Sequence, residues 1–137
     1  MENAVHILLI DDDATIRRLF GAKLASVGFE VLYAGSGEEG RETARRLKPD
    51  IILLDIRMPG TDGIKTAERL REEEQTKQIP IVFLTNEDLS LEAEKAMKEL
   101  WVADYIHKSI DLDEFVKRVE KIIKEQGINP AINSPER

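Results

Sequence analysis

Six polar side chains of this sequence share one feature, because each lies at or just after the end of a short apolar run. They are Asp11, Asp12, Asp13, Asp55, Thr85 and Lys108. Converging carboxylates repel one another and resist losing water, and a hard divalent cation would relieve both effects. Mg²⁺ takes oxygen ligands and is usually bound by one or two carboxylates together with a phosphate. The set therefore predicts phosphoryl chemistry assisted by Mg²⁺.

Within this set, Asp55 can act both as a metal ligand and as a nucleophile. A carboxylate oxygen beside Mg²⁺ can attack an in-line phosphoryl group, while the Lys108 ammonium and the Thr85 hydroxyl stabilise the equatorial oxygens. Asp13 precedes Ala14 and Thr15 as an N-cap residue does, so we leave it out of the site.

These side chains need a scaffold that brings distant segments together, and the hydrophobic pattern predicts one. Apolar runs of strand length occupy residues 5–10, 51–56, 79–84 and 102–106, with a weaker one at 30–34. Such continuous runs suit strands buried on both faces. Between them the apolar residues recur at helical spacing, most clearly in three stripes. The stripes are Ile16, Leu19, Phe20, Leu24 and Val27; Ala93, Ala96, Met97 and Leu100; and Phe115, Val119, Ile122 and Ile123.

Strand and helix alternate five times, which predicts a doubly wound α/β fold with helices on both faces of a parallel sheet. In such folds all strand C-terminal ends share one edge, and ligands bind there. The six polar side chains would therefore converge.

Composition limits the function further. The chain has 137 residues, enough for one domain, and a net charge of -7, which disfavours nucleic acid and anionic membranes as partners. It has no cysteine and no apolar run of membrane-spanning length, so we expect a soluble protein of the cytoplasm. We expect one domain over residues 1–126 and a flexible tail or linker stub over 127–137, which contains two prolines.

Four motifs resemble the receiver domain of two-component response regulators, of the chemotaxis-regulator type. They are ILLIDDD at residues 7–13, LLDIRMPGTDG at 53–63, FLT at 83–85 and DYIHK at 104–108. The resemblance covers residues 4 to 125 and implies a flavodoxin-like (βα)5 three-layer sandwich with strand order 2-1-3-4-5.

The resemblance also implies a role for each site residue. Asp55 would accept a phosphoryl group from a histidine kinase or phosphotransfer protein. Asp12, Asp55 and the backbone carbonyl of Arg57 would hold Mg²⁺, with Asp11 acting through water. Lys108 and Thr85 would contact the phosphoryl oxygens.

The implied output is a conformational switch. Thr85 would move toward the phosphoryl group and draw Tyr105 inward, which would change the surface of the fourth helix, fifth strand and fifth helix. The implied protein is regulatory, catalyses only its own phosphorylation and dephosphorylation, and is a monomer or a phosphorylation-linked homodimer. The downstream target is a protein that the sequence does not identify.

Three positions depart from the family pattern. Ser109 replaces a proline whose peptide bond is cis, and we predict a trans bond, since a cis bond before serine would cost about 3–4 kcal/mol. Arg57 and Glu87 flank the site, and Asn86 replaces a small residue. If the charges of Arg57 and Glu87 pair, the three residues would restrict access and lengthen the phosphoryl lifetime; the alternative is that both charges are solvated and unpaired. Trp101 stands where the family has glycine, and we expect it to pack locally rather than to anchor a partner.

Two other functions fit parts of the sequence. A degenerate receiver would bind partners without phosphate. A haloacid-dehalogenase-type phosphatase would use Asp11 as nucleophile and Asp13 as general acid, because residues 11–15 read D-x-D-x-T, but it leaves the motif around Asp55 unexplained.

Overall fold

The structure, a computed structural model, describes residues 4–58 and 61–128 and consists of alternating strands and helices. The five main strands, β1 to β5, are His6–Ile10, Glu30–Ala34, Ile51–Asp55, Ile81–Thr85 and Asp104–His107. The five helices, α1 to α5, are Ala14–Ser26, Gly37–Leu47, Gly63–Glu72, Leu91–Glu99 and Leu112–Glu125.

All four strand pairings of the main sheet are parallel, and the strand order is β2-β1-β3-β4-β5. The register aligns Ile10 with Leu54, Asp55 with Leu84, and Thr85 with His107. The C-terminal ends of the three central strands and of β5 therefore meet at one edge. This confirms the predicted α/β fold class and strand order.

The core has two layers because successive strand side chains point to opposite faces of the sheet. Leu8 and Ile10 pack with residues of α2, α3 and α4 on one face, whereas Ile7 and Leu9 pack with residues of α1 and α5 on the other. These four side chains are fully buried, and such burial stabilises the fold by about 1.5–3 kcal/mol for each large aliphatic side chain.

Strand bounds differ from the predicted ones where a chain turn interrupts an apolar run. β4 starts at Ile81, because Pro80 has no N–H for the ladder, and it extends to Thr85. Val102 is buried but belongs to the turn after α4, so β5 starts at Asp104. A two-residue antiparallel ladder between Arg57–Met58 and Thr61–Asp62 was not predicted, since two residues carry no periodic signal.

The expectation that Trp101 packs locally is wrong, because 77% of this residue is exposed. The N–H of Leu100 donates to Ala96 O and the N–H of Val102 donates to Met97 O, so the helix end closes around Trp101 and turns it outward. Its φ is 55°, in the left-handed region. The predicted stripe of α1 is also partly wrong, since Leu19 is exposed on the helix and Val27 lies just past its end.

Every peptide bond that the structure describes is trans, including Lys108–Ser109, which confirms the prediction made at Ser109. Within the same residues, none of the helices combines the length and the apolar character needed to cross a bilayer. Of the predicted tail, Gly127 and Ile128 are described, and Ile128 packs against the core layer of α1 and α5. Residues 129–137 lie outside the described residues.

Candidate functional site

Asp55 is the last residue of β3, and only 2% of it is exposed. Its Oδ1 accepts a hydrogen bond of 3.0 Å from the N–H of Arg57, two residues later. The start of α3 lies close against the same backbone, because a Cβ on Gly63 would lie 2.4 Å from Ile56 Cα and 2.5 Å from Asp55 O. Glycine is therefore required at Gly63, and this close approach fixes the segment that carries Asp55.

Asp11 follows β1 and is fully buried. Its N–H donates to Ala34 O at 3.0 Å, and its Oδ1 accepts from the N–H of Asp13 at 2.9 Å. Its carbonyl oxygen accepts from the guanidinium of Arg17, 2.6 Å away, a contact that no sequence pattern indicated. These bonds fix the peptide that leads into Asp12, which is exposed.

Asp13 caps α1, as predicted. One of its carboxylate oxygens accepts from the N–H groups of Thr15 and Ile16, at 2.8 and 3.4 Å. A carboxylate used in this way satisfies the free N–H groups of a helix start. It is poorly suited to the general-acid role that a phosphatase of the D-x-D-x-T type would require.

Lys108 joins the two buried carboxylates. Its side chain is 6% exposed, and its Nζ lies 2.6 Å from Asp11 Oδ2 and 3.1 Å from Asp55 Oδ2. Asp11 Oδ2 has no hydrogen-bond donor in good geometry among the described residues, so we treat its contact with Lys108 as an ion pair. The backbone N–H of Lys108 donates to Thr85 O at 2.7 Å, which ties the start of the β5–α5 loop to β4.

The pKa values of this group follow from burial and charge. Burial raises the pKa of Asp55, and the charge of Asp11 raises it further, against the opposing effects of the Arg57 N–H and of Lys108. Burial by itself would lower the pKa of Lys108, but contact with Asp11 and the charge of Asp55 outweigh it, so the pKa of the ammonium is raised. Lys108 therefore stays charged between the two carboxylates.

Asp11, Asp12 and Asp55 could hold a metal ion. One carboxylate oxygen from each lies within 4.8 Å of the other two. Among the described residues, the Lys108 ammonium is the one cation paired with this group, through Asp11 and Asp55, and Asp11 Oδ2 is buried without a well-oriented donor. An oxygen-rich, electron-rich set of this kind fits a hard divalent cation such as Mg²⁺.

The other residues that the sequence predicts to act at the site lie around the loop after β4. Glu87, in this loop, contacts Thr85, Tyr105 and Arg57. Its N–H donates to Thr85 Oγ1 at 3.0 Å, and its carbonyl oxygen accepts from the hydroxyl of Tyr105. Its carboxylate lies 2.8 Å from the guanidinium of Arg57, so of the two alternatives that the sequence left open the charges pair. Asn86 is exposed on the same loop. The side chain of Thr85 is buried, and burial raises the pKa of Tyr105.

Comparison with known proteins identifies the family. A family model described as the response regulator receiver domain matches residues 7–120. The phosphate regulon transcriptional regulatory protein PhoB of Pseudomonas aeruginosa is 36% identical over 124 residues, 88% of this chain and 52% of PhoB. Protein PilH of the same species is 33% identical over 118 residues, 85% of this chain and 96% of PilH.

The solved structure of the chemotaxis protein CheY4 of Vibrio cholerae is also similar, with a TM-score of 0.81 and 27% identity over 87% of this chain and 98% of that chain. The chain spans about half the length of PhoB. The fold, the acidic cluster and these matches agree, and the chain belongs to the response regulator receiver domain family of two-component systems.

Proposed function

We propose that this receiver domain is a phosphoacceptor switch in which Asp55 receives a phosphoryl group from a histidine kinase or a phosphotransfer protein. One observation carries the proposal. The carboxylate of Asp55 is buried at the end of β3, where it contacts the Lys108 ammonium and lies close to the carboxylates of Asp11 and Asp12. A buried carboxylate with a raised pKa beside a fixed cation is typical of a functional site.

In the proposed reaction a carboxylate oxygen of Asp55 bonds to phosphorus, and the bond between phosphorus and the donor's imidazole nitrogen breaks. Lys108 neutralises charge on the phosphoryl oxygens, and the hydroxyl of Thr85 donates to one of them. Because Lys108 already lies between Asp11 and Asp55, it need not be brought from solvent. Positioning of this kind supplies much of the rate of phosphoryl transfer.

Mg²⁺ is the proposed cofactor. Asp12, Asp55 and the backbone carbonyl of Arg57 would hold it, and Asp11 would act through water. When bound, it supplies positive charge that neutralises the carboxylates and the incoming phosphoryl oxygens. The proximity of Asp11, Asp12 and Asp55 supports this assignment.

The proposed output depends on Thr85 and Tyr105. Movement of Thr85 toward the phosphoryl group would release its bond with the N–H of Glu87, whose carbonyl oxygen holds the Tyr105 hydroxyl. The surface of α4, β5 and α5 would change as a result, and a protein target would read that change. The sequence predicts a receiver domain over residues 1–126 and a tail over 127–137, but Ile128 packs on the core layer of α1 and α5, so we propose that the domain extends at least to Ile128. It would act in the cytoplasm as a monomer or phosphorylation-linked homodimer.

The ion pair of Arg57 and Glu87 is proposed to restrict access to Asp55, together with Asn86. Both partners are more than half exposed, so the pair contributes only ~0–1 kcal/mol to stability. Its proposed role is therefore in the lifetime of the acyl phosphate. Arg57→Ala and Asn86→Ala should shorten that lifetime, measured by loss of the phosphorylated mass over time. An unchanged lifetime in both variants would contradict the restriction.

The central experiment is incubation with Mg²⁺ and acetyl phosphate, followed by intact and peptide mass spectrometry. We expect one added phosphoryl group in the peptide that contains Asp55. Asp55→Asn, which keeps the side-chain shape, should show none. If the wild-type protein binds Mg²⁺ but gains no phosphoryl group from acetyl phosphate or from a phosphohistidine donor, a phosphate-independent receiver is the better description.

A further inference from the structure

His107 and Ser109 lie on either side of Lys108 and contact each other. The Nδ1 of His107 lies 2.8 Å from Ser109 Oγ and 3.2 Å from the backbone N of Ser109. The N–H of Ile110 donates to His107 O at 3.1 Å. Residues 107–110 therefore form a tight turn that includes Lys108, and the imidazole of His107 contacts Ser109 within this turn.

These contacts define the roles of the atoms. A backbone N–H can only donate, so Nδ1 of His107 must be the unprotonated ring nitrogen, and the hydroxyl of Ser109 donates to it as well. The proton of a neutral imidazole is then on Nε2. Both donors come from Ser109, and its backbone N–H exists because this residue is not a proline.

The turn determines where the long side chain of Lys108 begins. Holding a lysine side chain in one geometry costs rotamer entropy. The total entropy cost is smaller when the backbone that carries the side chain is already fixed. The N–H of Lys108 is fixed on the other side by Thr85 O, in the register that pairs Thr85 with His107. Lys108 is thus held by β4 through its own amide and by the His107–Ser109 contact through its neighbours.

We propose that His107 and Ser109 are positioning residues that hold the Lys108 ammonium between Asp11 and Asp55. We call this contact the His107–Ser109 clamp. For its effect on phosphorylation the proposal rests on the proposed function of Asp55. Ser109 is exposed and His107 is half-buried, so we expect loss of the clamp to change Lys108 more than the stability of the whole domain.

The test uses His107→Ala, Ser109→Ala, the double variant and His107→Asn. The side-chain oxygen of asparagine can accept from Ser109 near the position of Nδ1, so His107→Asn should preserve the clamp. We expect each alanine variant to be phosphorylated by acetyl phosphate about three- to tenfold more slowly at saturating donor, the size of effect that one lost hydrogen bond gives. The double variant should be no slower than His107→Ala, because that change already removes the hydroxyl contact that Ser109→Ala removes.

His107→Asn should stay within about twofold of the wild-type rate, and Mg²⁺ affinity should be similar in all variants, since the carboxylates are unchanged. Ser26→Ala is the matched control, because it removes another exposed hydroxyl that bonds locally, to Lys23 O, at the far end of α1. It should have the wild-type rate. Wild-type rates in both alanine variants, additive losses in the double variant, or equal losses in His107→Asn and His107→Ala would overturn the proposal.

A second measurement does not depend on phosphorylation. Hydrogen exchange of the Lys108 amide in the metal-free protein should be faster in both alanine variants than in wild type and His107→Asn, at unchanged melting temperature. Unchanged exchange would overturn the clamp by itself. If the wild-type protein is not phosphorylated at all, the proposed function fails, while this exchange measurement still decides whether the clamp exists.

Discussion

At the scale of single residues, Asp11, Asp12 and Asp13 serve three different purposes although the sequence repeats one residue type. Asp11 is buried and pairs with Lys108, Asp12 is exposed at the candidate metal site, and Asp13 caps α1. The difference comes from backbone direction at the end of β1, because each side chain leaves a turning chain at a different angle.

This division predicts opposite effects for two adjacent substitutions in the metal-free protein. Asp12→Ala should raise the melting temperature, because it removes one of three mutually repelling carboxylates. Asp13→Ala should lower the free energy of unfolding by about 1 kcal/mol, because it removes an N-cap. Thermal unfolding with and without Mg²⁺ measures both.

Added Mg²⁺ should stabilise wild type and Asp13→Ala more than Asp12→Ala. A lower melting temperature for metal-free Asp12→Ala than for metal-free wild type would contradict the argument that the three carboxylates repel one another.

The raised pKa of Asp55 predicts how stability depends on pH without metal. A carboxyl whose pKa is higher in the folded than in the unfolded state binds its proton more tightly when folded, so its contribution to stability is present at low pH and is lost as the pH rises through the folded-state pKa. Asp55→Asn should therefore be more stable than wild type at neutral pH. The difference should shrink as the pH falls toward the ordinary pKa of aspartate. Urea unfolding at a series of pH values checks this, and a difference that grows on acidification would refute it.

At the scale of secondary-structure elements, the end of α4 carries a local strain. Trp101 has a positive φ and a side chain that is largely exposed, so its backbone conformation gains little from packing. A left-handed conformation costs an L-residue roughly 1–2 kcal/mol, and glycine avoids this cost. The contacts of Leu100 with Ala96 O and with the guanidinium of Arg71 hold the turn in this conformation.

Trp101→Gly should therefore be more stable than Trp101→Ala by about 1 kcal/mol, because both lose the indole but only glycine relieves the backbone. The midpoint of urea unfolding, monitored by circular dichroism since the only tryptophan is removed, measures the difference. If Trp101→Ala is as stable as Trp101→Gly or more stable, the turn relaxes in the variants and the backbone at residue 101 does not store strain.

The junction of β3 and α3 is the second element that determines the site. A Cβ at Gly63 would collide with the backbone of Asp55 and Ile56, which cannot move without displacing the carboxylate. Gly63→Ala should lower the free energy of unfolding by roughly 1–3 kcal/mol and slow phosphorylation of Asp55. Gly35→Ala is the control, because a Cβ there would meet only the ends of the Arg17 and Glu39 side chains at 3.4 Å or more. Similar losses in both variants would argue against a specific role for the close approach at Gly63.

At the scale of the whole molecule, the buried core residues lie between Ile7 and Ile122. Ile128, the last described residue, packs against the core layer of α1 and α5. Because the sequence predicts a tail beyond this point, a chain ending after residue 128 should keep the unfolding midpoint and the phosphorylation rate of the full sequence. A chain ending after residue 126 should be less stable, because it loses the packing of Ile128 against the core layer of α1 and α5. Thermal unfolding of the two truncated chains compares them. Loss of stability on removing residues 129–137 alone would contradict a tail role for that segment.

Much of this architecture is determined locally and was predicted from the sequence. The apolar runs predict five strands and the helical spacing predicts five helices, since a continuous apolar run and a 3.6-residue period are both properties of short segments. Right-handed crossovers then bring the strand ends to one edge, so the sequence also predicts the convergence of Asp11, Asp55 and Lys108. The cap at Asp13 and the trans bond at Ser109 were also predictable, because both depend on immediate neighbours.

Tertiary structure alone decided which side chains touch and which face solvent. The sequence does not reveal that Lys108 joins Asp11 to Asp55, that Arg17 holds Asp11 O, or that His107 accepts from Ser109. It also gave the wrong environment for Trp101. Such contacts depend on backbone direction at loop ends and on distances between segments far apart in the chain, to which local hydrophobic patterns are insensitive.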